Sequence, residues 1–106
     1  MTKKNLNRTS PPISRKMDAK TLLVNAQEHL DQRGIDYDSL DGERSMKATV
    51  EAFRAITGHP LTEREGWLFM VLLKAVRAQQ SPTKLDSYED GAAYFALAGE
   101  SVQEKP

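Results

Sequence analysis

Seven consecutive residues, Trp67 to Leu73, carry no polar side chain, and no other feature constrains the fold of this chain as strongly. The run is far shorter than the roughly 20 residues that cross a bilayer, and Lys74 and Arg77 close it, so no membrane association is expected. Just before it stands Thr62-Glu63-Arg64-Glu65. This is a capping box: the threonine hydroxyl accepts from an orphan amide of the first turn while the glutamate reaches back to the cap amide. A helix therefore starts at Thr62, and because it is apolar almost all round it is expected to be a central helix covered by its neighbours.

Three further segments repeat apolar residues at helical spacing. Leu22, Leu23, Ala26 and Leu30 mark a first helix from about Asp18 to Gln32, with Gly34 suited to a left-handed C-terminal cap. Met46, Val50, Phe53 and Ile56 or Thr57 form the stripe of a second, from about Glu43 to Thr57, ended by Gly58 and Pro60. The last opens at Asp86 or Ser87, either of which can cap, and runs to about Ala98 before Gly99. Its small residues Gly91, Ala92, Ala93, Ala96 and Ala98 permit close helix approach, with Tyr88, Tyr94, Phe95 and Leu97 filling gaps. No segment alternates with period two and β-branched enrichment, so no strand is placed. The expected class is all-α, a compact bundle of four helices joined by short connections.

A chain of 106 residues allows one small core. The absence of cysteine removes disulfide frameworks, cysteine-ligated metal and thiol nucleophiles, and fits a reducing compartment, the bacterial cytoplasm. The zero net charge conceals an asymmetry. Residues 1–16 hold Lys3, Lys4, Arg8, Arg15 and Lys16 with no acid, leaving ten bases and fifteen acids beyond them. With few apolar residues and Ser10-Pro11-Pro12, this basic leader is expected to be disordered, followed by a helical domain over 17–100 and a frayed tail over 101–106. Without aromatic residues it makes a poor nucleic-acid site, so nucleic acid is not the expected partner.

Familiar catalytic signatures are missing: no glycine-rich phosphate loop, no zincin histidine pair, no Gly-x-Ser-x-Gly elbow. His29 and His59 are separated by a helix without a third ligand, and each reads as a surface or cap-adjacent residue. The most informative constellation is Lys74 and Arg77 at the end of the third helix with Asp86, Glu89 and Asp90 at the start of the fourth. Read structurally, these are ion pairs that dock the last helix, the cations also complementing the helix dipole. Read functionally, the carboxylates hold a divalent cation and the cations take phosphate oxygens. A second patch, Asp31, Arg33, Asp36, Tyr37, Asp38 and Asp41, is either an acidic turn or a site where Tyr37 stacks on a base. Glu28 and Asp31 form an E-x-x-D pair on one helical face. Trp67, Met70 and Tyr94 are either core or an aromatic platform.

The order HLDQRGIDYDS, AFRAITGHPLTEREGWLFMVLLKAVRAQQ and LDSYEDGAAYFALAGE resembles a family of small phage and prophage proteins of unassigned function. Arg33, Gly34 and Tyr37 match its first motif, Lys74 and Arg77 its second, and Asp86, Ser87, Asp90, Ala92 and Tyr94 its third; Asp38 and Ala93 stand where it has glycine. The last motif also resembles one in phage nucleotide-modification domains and, more distantly, the helix patterns of MazG-type all-α nucleoside triphosphate pyrophosphatases. The resemblance implies a magnesium-dependent enzyme that handles nucleotides and assembles as a homo-oligomer. On that reading Asp86 and Asp90, helped by Glu28 or Asp31, hold Mg2+, Lys74 and Arg77 neutralise phosphate charge, and Arg33 and Tyr37 complete the substrate-binding set, with Tyr37 contacting the base. The competing expectation is a non-catalytic helical module that binds a host or phage protein.

Overall fold

The computed structural model describes residues 17–37 and 45–103, which form α1 (Ala19–Tyr37), α2 (Ser45–Thr57), α3 (Glu63–Gln80) and α4 (Asp86–Ser101). No strand occurs among the described residues, and the chain is an all-α bundle. The expected basic leader, the acids Asp38 and Asp41, the start of the second helix at Glu43 and the last three residues lie outside the described residues.

Asp18 starts α1, its Oδ1 accepting from the Thr21 amide at 2.9 Å and the Thr21 hydroxyl at 2.8 Å. These bonds, the backbone one first, hold the Asp18 carboxyl below its ordinary range. The helix does not stop at Gly34. It continues to Tyr37 with Gly34 buried inside it, because glycine permits a left-handed cap without demanding one, and local preference yields to packing. The positive-φ glycine among the described residues is Gly58, at +79°, which ends α2 as expected.

The capping box of α3 is present in full. Thr62 Oγ1 accepts from the Glu65 amide at 3.1 Å, and Glu65 Oε1 accepts from the Thr62 amide at 2.9 Å. The helix itself is covered on one side only. Trp67 is buried, whereas Phe69, Leu72 and Val76 are exposed, so the expected all-round burial fails. Four short helices do not supply enough surface to enclose a whole helix of this length.

The α4 start also differs from expectation. Leu85 occupies the cap position in helical geometry with no side-chain cap bond, and Asp86 is the first helical residue. Gly99 does not end the helix, which runs to Ser101. Tyr88 and Phe95 are exposed rather than filling gaps, while Ala93, Tyr94, Leu97 and Ala98 turn inward.

The core joins Met46 and Val50 of α2, Trp67 of α3 and Tyr94, Leu97 and Ala98 of α4, with Leu30, Leu68, Met70 and Val71 packed against it. Trp67 and Tyr94 stack with centroids 5.6 Å apart and planes 19° from parallel, so these aromatics are core and not a platform for a ligand. Gly66 lets α2 approach α3. A Cβ there would lie 3.0 Å from Val50 Cγ1 and closer still to the Met46 sulfur. The resulting order places α4 between α1 and α3, while α2 leans chiefly on α3.

Candidate functional site at the α3–α4 turn

Lys74 and Arg77 leave α3 one turn apart, and residues 81–85 turn the chain into α4. Ser81 closes α3, its amide donating to the Arg77 carbonyl at 2.9 Å, and the Lys84 amide donates to the Ser81 carbonyl at 3.1 Å. The Tyr88 hydroxyl reaches back from α4 to donate to the Pro82 carbonyl at 2.7 Å, pinning the turn.

Of the ion pairs expected between the two helices, one forms. Lys74 Nζ lies 3.1 Å from Asp90 Oδ2, with both side chains only 14% exposed. Arg77 and Asp86 form no ion pair among the described residues. Together with Lys74, Gln80, Ser81, Lys84 and Ser87 they line a polar cleft of about 260 Å³. Three of its lining side chains are cationic and one is acidic. The α4 N-terminus opens here without a side-chain cap: the Tyr88 and Glu89 amides donate to the Leu85 carbonyl, and those of Asp86 and Ser87 are left to solvent or to an anion.

A second cleft of about 410 Å³ shares Lys74 and Ser87 and is otherwise mostly apolar, lined among others by Val71, Ala75, Ala78, Pro82, Tyr88 and Gly91. Ser87 is 7% exposed, and its hydroxyl makes no hydrogen bond among the described residues. A nearly buried hydroxyl without a partner carries an uncompensated desolvation cost unless water or a ligand meets it.

The remaining sequence candidates go elsewhere. Glu28 and Asp31 are exposed on α1, and no group of three or more His, Asp or Glu side chains among the described residues is arranged to hold a metal ion. The expected cage of Asp86, Asp90, Glu28 and Asp31 is therefore not assembled: Asp90 is taken by Lys74, and the α1 carboxylates face outward. Arg33 does not line the cleft. Its Nη2 donates to the Tyr94 hydroxyl at 2.8 Å and its guanidinium carbon sits 5.0 Å from the centre of that ring. Tyr37 closes α1, and its side chain lies outside what the structure describes.

Sequence reasoning missed a polar seam between α1 and α4. Glu89 is 8% exposed, with Oε2 accepting from the Asn25 amide group at 2.8 Å and Oε1 lying 3.1 Å from His29 Nε2. His29 Nδ1 stands 3.7 Å from Asp90 Oδ1, so Asp90 is shared between His29 and Lys74. His29 thus belongs to the seam while its side chain stays 40% exposed at the surface. His59 is exposed in the α2–α3 turn. The signal available in sequence was spacing: Asn25, His29 and Arg33 recur every four residues beside the apolar stripe of α1, a polar row that a buried partner must satisfy.

No helix among the described residues is long and apolar enough to cross a membrane. No curated protein and no solved structure matches the chain. Residues 21–102, from the first turn of α1 past the end of α4, match the family described as a domain of unknown function, DUF6378, and the chain belongs to that family.

Proposed function

We propose that the protein binds a nucleoside phosphate at the α3–α4 turn. The observation that carries this reading is the pairing of two clefts across Lys74 and Ser87, one cationic and one apolar. Phosphate oxygens are met by Arg77, Lys84 and Lys74, by the Ser81 and Ser87 hydroxyls and by the open amides of α4. Fork-shaped guanidinium and point-like ammonium donors both favour such oxygens. The nucleoside rests against Val71, Ala75, Ala78 and Tyr88. Asp86, the one carboxylate in the cleft wall, would receive an Mg2+ ion carried in on the phosphates, which would neutralise part of their charge. The resemblance to MazG-type enzymes points further, to hydrolysis yielding the monophosphate and pyrophosphate in a bacterial cytoplasm carrying phage genes.

A panel of ribo- and deoxynucleoside triphosphates with magnesium tests the reading by calorimetric titration, thermal stabilisation and phosphate-ester turnover. Binding is expected, and Arg77→Ala with Lys84→Ala should weaken it at least tenfold without lowering the unliganded melting temperature. No binding at millimolar nucleotide refutes the proposal. A second reading, a non-catalytic module for a host or phage protein, is favoured by the apolar side chains that α3 exposes.

A further inference from the structure

Lys74 and Ser87 line both the polar and the apolar cleft, whereas Arg77 and Lys84 line the polar cleft alone. A ligand that fills both clefts therefore crosses from one to the other past Lys74 and Ser87. The donors at the crossing differ in charge from those beyond it. Lys74 Nζ stands 3.1 Å from Asp90 Oδ2, so its charge is already answered, and Ser87 is neutral. Arg77 and Lys84 form no ion pair among the described residues. Ser87 is also the buried group that asks for a ligand. It is 7% exposed, its hydroxyl has no partner among the described residues, and it stands in the first turn of α4, where its own amide and that of Asp86 are open.

We propose that the phosphate chain runs through the site in one direction. The phosphoryl group esterified to the nucleoside sits at Lys74, Ser87 and the open α4 amides, and the phosphates beyond it reach Arg77 and Lys84. This inference rests on the nucleotide reading above and adds a substrate class to it, nucleoside di- and triphosphates in preference to monophosphates. Charge matching sets the direction. An inner phosphoryl group of a polyphosphate is bridged on two sides and carries a single charge, which suits a neutral hydroxyl, backbone amides and a lysine already paired to a carboxylate. A terminal phosphoryl group carries a charge of about −1.5 to −2 at pH 7 and calls for the two unpaired cations. The opposite direction would leave Arg77 and Lys84 facing the nucleoside and place the most highly charged phosphate beside Asp90.

Calorimetric titration of the full chain in magnesium buffer with the mono-, di- and triphosphate of one nucleoside tests the direction. Affinity should rise along the series, the triphosphate binding at least about tenfold tighter than the monophosphate, the worth of one charge-assisted hydrogen bond. Arg77→Ala with Lys84→Ala should reduce that advantage to below about threefold, chiefly by weakening the triphosphate. Ser87→Ala should weaken all three ligands by a similar factor of at least about threefold. It should also leave the unliganded melting temperature unchanged or higher, because the methyl group replaces a hydroxyl that no protein group satisfies. Equal affinity for mono- and triphosphate, equal weakening of both by the Arg77 and Lys84 changes, or a Ser87→Ala loss confined to the triphosphate would each overturn the direction while nucleotide binding itself stands. A lower unliganded melting temperature in Ser87→Ala would overturn the place of its hydroxyl in the site. No binding of any of the three removes the nucleotide reading and this inference with it.

Discussion

Replacing Lys74 by methionine leaves the Asp90 carboxylate 14% exposed with His29 Nδ1, at 3.7 Å, as its nearest remaining basic group. Truncating one partner of a fully buried pair costs about 3–5 kcal/mol, and exposed pairs contribute about 0–1 kcal/mol. At this partial burial the expected loss is about 2 kcal/mol, between those limits. Methionine retains most of the lysine stem's packing, so the loss reports the charge. In a domain of this size about 2 kcal/mol lowers the melting temperature by roughly 8–16 °C. Asp90→Asn should cost somewhat less, since the asparagine still hydrogen-bonds. The double variant should be more stable than the sum of the single losses predicts, with a coupling of about 1–2 kcal/mol. Thermal and urea denaturation followed by circular dichroism measure all four proteins. Single variants within about 0.5 kcal/mol of wild type, the range of ordinary surface substitutions, would refute the assignment of this pair to the docking of α4 on α3.

Two other outcomes follow from the packing. Gly66→Val forces branched bulk against Met46 and Val50 and should destabilise the fold by about 1–3 kcal/mol, read as a lower urea midpoint. Thr62→Ala removes the cap of α3 and should cost about 1 kcal/mol. The same substitution changes the acid limb. The Thr62 amide first and its hydroxyl second depress the folded-state pKa of Glu65, and the substitution removes only the hydroxyl's share, which is present above the ordinary carboxylate range and fades as pH falls through the lowered value. Melting temperatures measured from pH 7 to pH 3 should therefore fall less steeply for Thr62→Ala than for wild type, and parallel curves would contradict this.

The parts of the fold written in short stretches of chain were legible beforehand. The capping box at Thr62 and the Gly58 stop depend on a few adjacent residues, and both stand as expected. Gly34 and Gly99 carry the same local signal as Gly58 yet lie inside helices, because a stop signal in glycine is a permission that packing can overrule. Asp86 is a good cap by type, but the turn pinned by Tyr88 and Pro82 places Leu85 at that position instead. At the site, Lys74 and Asp90 could be paired on paper because a short connection joins their helices. Asn25, His29 and Arg33 meet partners at least 60 residues away, and no periodicity within a single helix encodes which distant side chain will answer.

The lean of α2 on α3 bears on how the molecule comes apart. With its principal support on one neighbour, through Met46 and Val50 packed over Gly66 and the edge of the core, α2 can lift away while the Trp67–Tyr94 stack and the α1–α4 seam stay closed. Its amides should then exchange with deuterium through a partial opening well before those of α3 and α4, making it the least protected cooperative unit among the described helices.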